Sequence, residues 1–455
     1  MPDVTIAGAS YTNVSEVDLP QTGGGTARFV DVSDTTAVAA DVASGKKFYL
    51  ADGSSATGTA SGGGGGYFVK MYDGTNLLNA EIVNGGDMPT YTPSKVGWSF
   101  NGWNDSNNNP VTAITEDINL FANYTWNSAS ALKITGTGLS MTPQSVLNPA
   151  GTFEYSLDNG YSWHEAANSV TITGDTIYWR GKNDGALCSV VTGALFVWTG
   201  TNISCAGNIY ACLDYETTIA GNLPTMKSYA FANFFRGCTG LVSAPTLPAT
   251  TLATYCYAYM FSGCSALVNV PSLPATAMAQ YCYEYMFQDC GTITAPPSMT
   301  INTTASHCCE HMFDGCSSLT SAPTFKKISL TSSCYSGMFK GCSSLTTAPS
   351  LPATTLNTYC YHEMFRNCTS LTAIPKLPAT SLKSNCYNTM FRGCTGVKMS
   401  TTQDSVAYPT AYRIPVSGTG STATNALSNM FQETGGSFVG TPTINTNYYT
   451  SNTVV

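Results

Sequence analysis

The sequence has little charge, few basic residues and no long apolar run. Only 10% of its 455 residues are charged, whereas an ordinary soluble domain has about 25%. With 19 Lys and Arg against 27 Asp and Glu, the net charge is -8, which excludes a basic footprint for nucleic acid. No run reaches about 18 apolar residues, so no membrane insertion is predicted. The first residues lack the basic and apolar regions of a secretory signal, so no secretory signal is predicted.

Apolar residues and cysteine are plentiful instead. Hydrophobic residues make up 43% of the chain, which is enough for several cores and excludes general disorder. The length predicts about three or four domains. Cys188 is the first of 17 cysteines, and most of the others recur at one fixed period. Such a period indicates a repeat architecture.

A run of glycines, residues 62–66, is predicted to be a flexible linker between a small N-terminal module and the rest of the chain. Within the module, residues 1–61, we expect a short helix over residues 34–45. A strand over residues 46–53 is expected to follow and to enter a hairpin turn at Asp52-Gly53. The module is therefore predicted to be of α+β type.

This module resembles the N-terminal modules of tail-fibre and other virion-attached proteins of phages and prophages of gut bacteria. The matching stretches are residues 4–9, 31–45, 48–53 and 57–59. The resemblance implies attachment to other virion proteins. Fibres of this kind also imply a homo-oligomer, with a trimer favoured, although the sequence has no coiled-coil heptad that would enforce one.

Residues 67–127 alternate apolar and polar positions between turn signals, and they predict a small sheet. Their Gly-Trp-x-Phe-x-Gly-Trp core, which begins at Gly97 and ends at Trp103, resembles the internalin-B-type (Listeria-Bacteroides) repeat. That family has a ubiquitin-like β-grasp fold. The resemblance implies a stalk or adhesion module without catalysis.

A β-sandwich-like spacer is predicted over residues 128–205, and it contains one Asp box, Ser-x-Asp-x-Gly-x-x-Trp. We expect Asp158 to accept backbone hydrogen bonds in a hairpin turn, Gly160 to supply a positive φ and Trp163 to pack beneath. Sialidases carry several such boxes, so an enzyme is one alternative. A single box favours a structural role, and the few arginines show no clustered triad for a sugar carboxylate.

The strongest signal is a period of 26 residues that begins near Phe235. Four kinds of position recur at this period: a phenylalanine, two cysteines and a proline. The columns are Phe235, Phe261, Phe287, Phe313, Phe339, Phe365 and Phe391; Cys238, Cys264, Cys290, Cys316, Cys342, Cys368 and Cys394; Cys256, Cys282, Cys308, Cys334, Cys360 and Cys386; and Pro245, Pro271, Pro297, Pro323, Pro349 and Pro375.

Each unit is predicted to be a short helix followed by a short strand. In one unit, Leu356, Cys360 and Met364 recur at i+4, which predicts an apolar stripe on a helix that faces inward. The residue before the second cysteine is of a type that tolerates the left-handed conformation and is predicted to end the helix. These residues are Gly237, Gly263, Asp289, Gly315, Gly341, Asn367 and Gly393. One such unit cannot bury its own apolar face, so the units are predicted to stack into a solenoid over residues 206–400.

The consensus Met-Phe-x-Gly-Cys-x-Ser-Leu-Thr-x-Ala-Pro-x-Leu-Pro-Ala-Thr resembles the BspA-like leucine-rich repeat over about residues 223–400. A small thiol suits a buried ladder position, so we expect most cysteines to be buried free thiols. Disulfides are one alternative. Metal ligation is another, although a spacing of eight between the two cysteine columns is not that of a zinc knuckle.

One stretch, His307-Cys-Cys-Glu310-His311, fits His-x-x-Glu-His, the inverted zinc-protease helix. The repeat explains it more simply, because Cys308 belongs to a cysteine column and both histidines fall in tyrosine columns. No catalytic residue, cofactor or metal site is predicted.

Columns that vary between units are expected to face outward and to form a ligand-binding face. Rigid tyrosines beside short polar groups suit recognition of a sugar or a protein. The alternative is that the rings merely cover the solenoid. The candidate residues are Tyr257, Tyr259, Tyr283, Tyr285, His311, Tyr335, Tyr361, His362 and Tyr387.

Residues 401–455 contain a late echo of the repeat, Asn429-Met-Phe431, and are predicted to cap the solenoid. The final residues, 445–455, are expected either to be loose or to pair with a neighbour. The whole chain is thus predicted to be mainly β and multidomain, with an anchor, a linker, a β-grasp module, a β-sandwich-like module, a leucine-rich-repeat solenoid and a cap.

This order of modules predicts a non-enzymatic virion protein: a tail fibre, head fibre or receptor-binding protein that uses the repeats to bind a host-surface glycan or protein. Two alternatives stay open. The first is a bacterial cell-surface adhesin built from the same modules, which would need an export signal. The second is a capsule-degrading glycosidase, which would need paired carboxylates across a cleft.

Overall fold

The computed structural model describes residues 66–455, apart from 96, 128–129, 145–150, 190–192 and 327–328, together with six short strands before residue 58. The chain forms two compact units, Met1–Thr125 and Trp126–Val455. Most of the regular structure is strand, which confirms the mainly β prediction. In the described part of the chain, no helix has the length and apolar character needed to span a lipid bilayer.

The N-terminal unit begins with three antiparallel hairpins, β1–β2, β3–β4 and β5–β6. Their strands are β1 (Val4–Ile6), β2 (Ala9–Tyr11), β3 (Glu16–Pro20), β4 (Thr26–Val30), β5 (Lys47–Tyr49) and β6 (Ser55–Thr57). Strands β5 and β6 flank the predicted turn at Asp52-Gly53. That turn, the predicted helix over residues 34–45 and the glycine linker before Gly66 lie outside the described residues.

A five-stranded sheet completes this unit, in the order β10-β9-β11-β7-β8. Its strands are β7 (Tyr67–Asp73), β8 (Asn76–Val83), β9 (Trp98–Asn104), β10 (Pro110–Val111) and β11 (Ile118–Trp126). Strand β11 runs parallel to β7, whereas β10 with β9 and β7 with β8 form antiparallel pairs. Alternating residues such as Val69, Met71 and Leu120 are buried with Trp103, so this sheet has one apolar face. It is the small sheet that the alternating pattern predicts.

The second unit begins with one seven-stranded sheet rather than two packed sheets. Its path is β14-β13-β16-β12-β17-β18, and β15 pairs with β12. The strands are β12 (Leu132–Pro143), β13 (Thr152–Ser156), β14 (His164–Glu165), β15 (Ile172–Thr173), β16 (Thr176–Lys182), β17 (Phe196–Gly207) and β18 (Leu241–Ser243). Helix α1 (Ala211–Ile219), kinked at Asp214, follows β17. Because β18 belongs to the first repeat and pairs in parallel with β17, the sheet continues into the repeats.

This sheet covers the first face of the repeat region. The Trp198 indole donates a hydrogen bond to the Phe234 carbonyl oxygen at 3.1 Å, and the hydroxyls of Tyr210 and Tyr257 lie 2.8 Å apart. One hydrophobic core runs without a break from Leu132 to Tyr448. The two stretches predicted as a separate spacer and solenoid therefore form one body, in which the spacer shields the apolar end of the stack.

The helix predicted in each repeat is wrong, because the described residues there form a run of tight turns, here called a rung. The backbone N–H of Tyr257 donates to the carbonyl oxygen of Cys282 in the next repeat at 3.1 Å. The backbone N–H of Ala258 instead donates to the carbonyl oxygen of Tyr255, three residues back, at 3.2 Å. The same alternation continues along the rung. Hydrogen bonds between repeats thus replace the i to i−4 bonds of a helix, and both structures place apolar side chains four residues apart.

Every fourth residue of a rung has a positive φ, as in Tyr255 (57°), Tyr259 (57°) and Gly263 (78°). The left-handed conformation predicted before the second cysteine is confirmed in all seven repeats, including the non-glycine residues Asp289 (57°) and Asn367 (64°). This conformation costs a non-glycine residue roughly 1–2 kcal/mol. The hydrogen bonds between rungs and the shared core offset that cost.

Inside the stack, equivalent residues form continuous ladders. The rings of successive phenylalanines from Phe235 to Phe391 stack at centroid distances of 5.5–5.8 Å. From Cys264 to Cys394, each thiol of that column donates to the carbonyl of a phenylalanine in the preceding repeat, as from Cys264 to Phe235 at 3.1 Å. All 17 cysteines are free, and all except Cys205 are buried, so the predicted burial is confirmed.

The C-terminal residues close the far end of the stack. Strand β22 (Asn447–Thr450) lies between β20 (Met399–Ser400) and β21 (Thr410–Arg413), and β23 (Thr453–Val454) pairs in parallel with β19 (Ala373–Ile374). The last residues therefore pair within their own chain. In the late echo of the repeat, Phe431 stacks on Phe391 at 5.7 Å and is covered by Phe438.

Candidate ligand-binding face

Two rows of stacked rings lie on the outer side of the first rungs. Both rows are built from positive-φ residues. Their side chains are partly exposed, whereas the residue that follows each of them in the rung is buried. The first tyrosine ladder consists of Tyr229, Tyr255, Tyr281 and His307. Its neighbouring rings have centroids 5.0, 4.3 and 4.6 Å apart and are nearly parallel.

The second tyrosine ladder consists of Tyr259, Tyr285 and His311, with both centroid distances 4.7 Å. The Arg236 guanidinium covers its first ring, 4.7 Å from the Tyr259 centroid. At the other end, a Cβ on Gly337 would clash with the His311 ring. Glycine there allows the imidazole to lie against the backbone of the next rung.

Glu284 and Glu310 occupy a column between the two ladders, one residue before Tyr285 and His311. In the part of the chain that the structure describes, the Glu284 carboxyl has no hydrogen-bond or ion-pair partner. Burial, with a further contribution from the Glu310 charge, raises the pKa of Glu284 to about 8. Glu284 is therefore mostly protonated at neutral pH, and it is a neutral donor and acceptor. Glu310, by contrast, pairs with His307 Nδ1.

The stacking determines which atoms a ligand meets. Because the rings lie face to face along the stack, neighbouring rings cover each other's facing surfaces, and these partly exposed side chains present mainly their edges to solvent. Burial, and then the neighbouring Tyr281 and Glu284, raise the pKa of Tyr255 to about 12. Burial and Glu284 do the same for Tyr259. These phenols stay protonated, so the two ladders with Glu284 and Glu310, here called the ladder face, present rows of hydrogen-bonding groups.

An open cavity of about 620 Å³ lies at the first ring of the ladder face. Tyr229 lines it together with Asp184, Lys227, Ser228 and Ala253. The Lys227 ammonium and the Asp184 carboxylate are paired at 2.6 Å and are both well exposed. The first ladder therefore begins beside an open concavity lined by both apolar and polar side chains.

Ion pairs replace the ladders beyond His311. The His311 imidazole pairs with Asp314 at 2.9 Å, and the Lys340 ammonium lies 3.8 Å from Asp314 and 3.3 Å from Glu363. Burial acts to raise the pKa of Glu363, but Lys340 and Arg366 outweigh it and hold that pKa below its usual range. The surface of the later rungs is thus satisfied by its own charges.

Five of the nine residues predicted for the ligand-binding face are in the core instead. Each follows the cysteine of its rung, is 1% exposed, and packs among the inner ladders. They are Tyr257, Tyr283, Tyr335, Tyr361 and Tyr387. The prediction was wrong because it assumed helical geometry. In a four-residue turn the residue before the cysteine points outward, and the residue after it points inward.

The other four predicted residues are partly exposed, but they do not form one site. Tyr259, Tyr285 and His311 form the second ladder. His362 lies farther along the stack, where its Nδ1 is 3.2 Å from the Asn388 carbonyl oxygen and burial lowers its pKa.

The prediction missed the first ladder and Glu284. A signal was present in the sequence. The column after the cysteine is tyrosine in nearly every repeat, as a core position should be, whereas the column before it varies among Tyr, His, Ser and Asn.

The zinc-protease pattern does not form a metal site in this backbone. His307 stacks on Tyr281 and contacts Glu310, whereas His311 stacks on Tyr285 and pairs with a different carboxylate. Among the described residues, no group of three or more His, Cys, Asp and Glu side chains is placed to hold a metal ion.

The Asp box has the local geometry expected from its residues. The Ser162 backbone N–H donates to the Asp158 carboxylate at 2.9 Å, and Gly160 has a φ of 82°. The Trp163 indole donates to the Gly160 carbonyl at 3.1 Å. Burial acts to raise the pKa of Asp158, but hydrogen bonds from Ser162 and Ser156 lower it below its usual range. This box stabilises the hairpin between β13 and β14.

Comparison with known families gives one match. The BspA type leucine-rich repeat region matches residues 232–372 and 323–412, in six copies. The match supports the leucine-rich-repeat assignment of this region, and such repeats suggest a protein-binding or adhesion role. No curated protein and no solved structure matches the chain.

Proposed function

We propose that this protein is a non-enzymatic adhesion protein of a virion, a tail fibre, head fibre or receptor-binding protein, whose repeat region binds a host-surface ligand. The observation that carries the proposal is the outer side of the rungs: stacked, partly exposed rings form the ladder face, and ion pairs replace them farther along, on a core whose Phe, Cys and Met columns are constant. A constant core with a variable exposed face is what a recognition surface requires.

The N-terminal module supplies the virion part of the proposal. Its likeness to modules of phage and prophage fibres supports attachment to other virion proteins, and fibres of that kind support a homotrimer. The small mixed sheet of residues 67–126 then serves as a spacer. The repeats, shielded by the seven-stranded sheet at one end and by the C-terminal strands at the other, form the binding head.

A bacterial cell-surface adhesin is the competing function, because the same modules would serve it. A capsule-degrading glycosidase has less support. Among the glutamates on the outer side of the described rungs, Glu310 is engaged by His307 and Glu363 by Lys340 and Arg366. Glycoside hydrolysis needs a pair of free carboxylates across a cleft.

Immunogold electron microscopy of particles from the source culture tests the proposal, with an antibody raised against residues 223–400. Label on tail tips or head fibres is expected, and it would identify the structure that carries the protein. Label on cell envelopes with bare particles would contradict the virion role and support the bacterial adhesin.

A further inference from the structure

We propose that the ladder face binds a linear, uncharged polysaccharide that runs along the repeat stack, with about one sugar unit against each rung. This proposal rests on the adhesion role proposed above and names its ligand class. The occupant is a chain of neutral hexose or N-acetylhexosamine units, not a uronic acid polymer and not a protein surface.

The spacing of the ladder is the first argument. Equivalent groups of the first ladder repeat every 4.3–5.0 Å along the stack, over the four rings from Tyr229 to His307. That distance is close to the length of one sugar unit in an extended polysaccharide. A ligand with the same period can therefore make the same contact at each rung, and its contacts accumulate along the chain.

The chemistry of the exposed atoms is the second argument. Ring edges and phenol groups are exposed, so the surface offers hydrogen bonds rather than open aromatic faces. The Glu284 carboxyl adds a half-buried group without a partner in the described residues, and it contributes to raising the pKa of Tyr255 on one ladder and of Tyr259 on the other. A polar group in this position is best satisfied by a ligand rich in hydroxyls.

Charge and shape decide which glycan fits. Glu310, which pairs with His307, lies beside Glu284, and two neighbouring carboxyl groups disfavour an anionic polymer. The two ladders are only four residues apart in each rung, which leaves a narrow strip suited to one unbranched chain. The strip opens into the cavity beside Tyr229 at one end and meets the ion pairs of Asp314 and Lys340 at the other.

Binding of oligosaccharides of increasing length to the full chain tests the period directly. The probes are linear neutral hexose and N-acetylhexosamine series from disaccharide to hexasaccharide, followed by calorimetry. We expect the affinity of at least one series to rise roughly tenfold from disaccharide to tetrasaccharide and then to level off, because the first ladder has four rungs. No binding by any series, or an affinity independent of length, would overturn the proposal.

Conservative variants locate the bound chain. Tyr281→Phe keeps the stacked ring and removes the hydroxyl, and we expect a loss of affinity of roughly threefold to tenfold. Tyr359→Phe is the matched control, because Tyr359 is exposed on a later rung outside the ladder. Glu284→Ala should weaken binding about as much as Tyr281→Phe, whereas Glu284→Gln should restore it. Equal losses in the Tyr281 and Tyr359 variants would contradict the proposal.

Cell binding separates this proposal from the adhesion role on which it rests. Labelled full-length chain is added to host cells with and without an excess of the neutral oligosaccharides as competitors. Binding lost in the presence of at least one competitor supports a glycan ligand. Binding unchanged by every competitor keeps the adhesion role and overturns the glycan, as a protein ligand would. Failure to bind untreated cells contradicts the adhesion role, and the oligosaccharide series then decides the glycan alone.

Discussion

The front rungs of the stack, from Tyr229 to His311, and the rear rungs, from Ser333 to Glu433, share one core but have different surfaces. The phenylalanine ladder passes through both parts with almost constant spacing. Outside, the front rungs present stacked rings and an unpaired carboxyl, whereas the rear rungs present ion pairs such as Lys340 with Glu363. The difference shows that the inner columns determine the backbone, whereas the outer columns are free to differ between the two parts.

Truncating a buried ring in the middle of the stack tests whether the two parts share one continuous core. Phe313→Ala should lower the free energy of unfolding by about 3–5 kcal/mol, because it leaves a cavity in a fully buried ladder. Chemical denaturation followed by circular dichroism measures the loss. Tyr359→Ala, on an exposed ring, is the control and should cost far less. A cost for Phe313→Ala no larger than that of the control would contradict a continuous core.

The unpaired carboxyl of the front rungs predicts a pH dependence of stability. The pKa of Glu284 is raised to about 8 in the fold. The stabilisation that Glu284 contributes to the free energy of unfolding is therefore fully present below its unfolded pKa near 4.5 and is lost as the pH rises through 8. Glu284→Gln should remove this loss and make the protein more stable than wild type at pH 9 by about 3 kcal/mol, after a discount for partial exposure.

The groups that face Glu284 are Glu310, Tyr255, Tyr259 and Tyr285, and none of them is a cation. Denaturation curves of both proteins from pH 4.5 to pH 9 measure the effect. Parallel curves over that range would show that Glu284 is ionised and solvated in the fold.

The boundary between the two parts lies at Gly337, under the His311 ring. Gly337→Ala should lower the free energy of unfolding by about 2 kcal/mol, because alanine is strained at a φ of 58° and its methyl group meets the imidazole. Gly418→Ala is the matched control: its φ is 75° with open space around it, so only the backbone strain of about 1 kcal/mol applies. Equal costs would show that the imidazole moves freely.

The ion pairs of the rear rungs should matter least. Lys340→Met removes the contacts with Asp314 and Glu363, and we expect the free energy of unfolding to change by less than about 1 kcal/mol, since the pairs are partly exposed. Denaturation at low and high salt checks this. A much larger loss, insensitive to salt, would mean that these charges hold the rear rungs together.

The repeat period, the buried cysteine columns and the left-handed residues could all be predicted from the sequence, because stacking imposes the same packing on each unit. The conformation of a rung could not. Leu356, Cys360 and Met364 are four residues apart in a helix and in successive turns alike, and the competing hydrogen bonds run to the next repeat.

Because a helix was predicted for each rung, the wrong tyrosines were chosen as candidate ligand-binding residues. A helix with Cys360 inward places Tyr361 near the surface, whereas the turn buries Tyr361 and turns Tyr359 outward. The packing of the seven-stranded sheet and the repeats into one body could not be predicted from the sequence either, because it depends on long-range contacts such as that of Trp198 with Phe234.

The central claim is that recognition belongs to the front rungs. The most direct measurement is the binding of labelled full-length chain to host cells, with Tyr285→Ala as the front variant and Tyr359→Ala as the rear variant. The account predicts that Tyr285→Ala weakens binding at least about tenfold, as truncation of a central aromatic contact does, and that Tyr359→Ala leaves it unchanged. Loss of binding in the rear variant alone, or in neither, would contradict it.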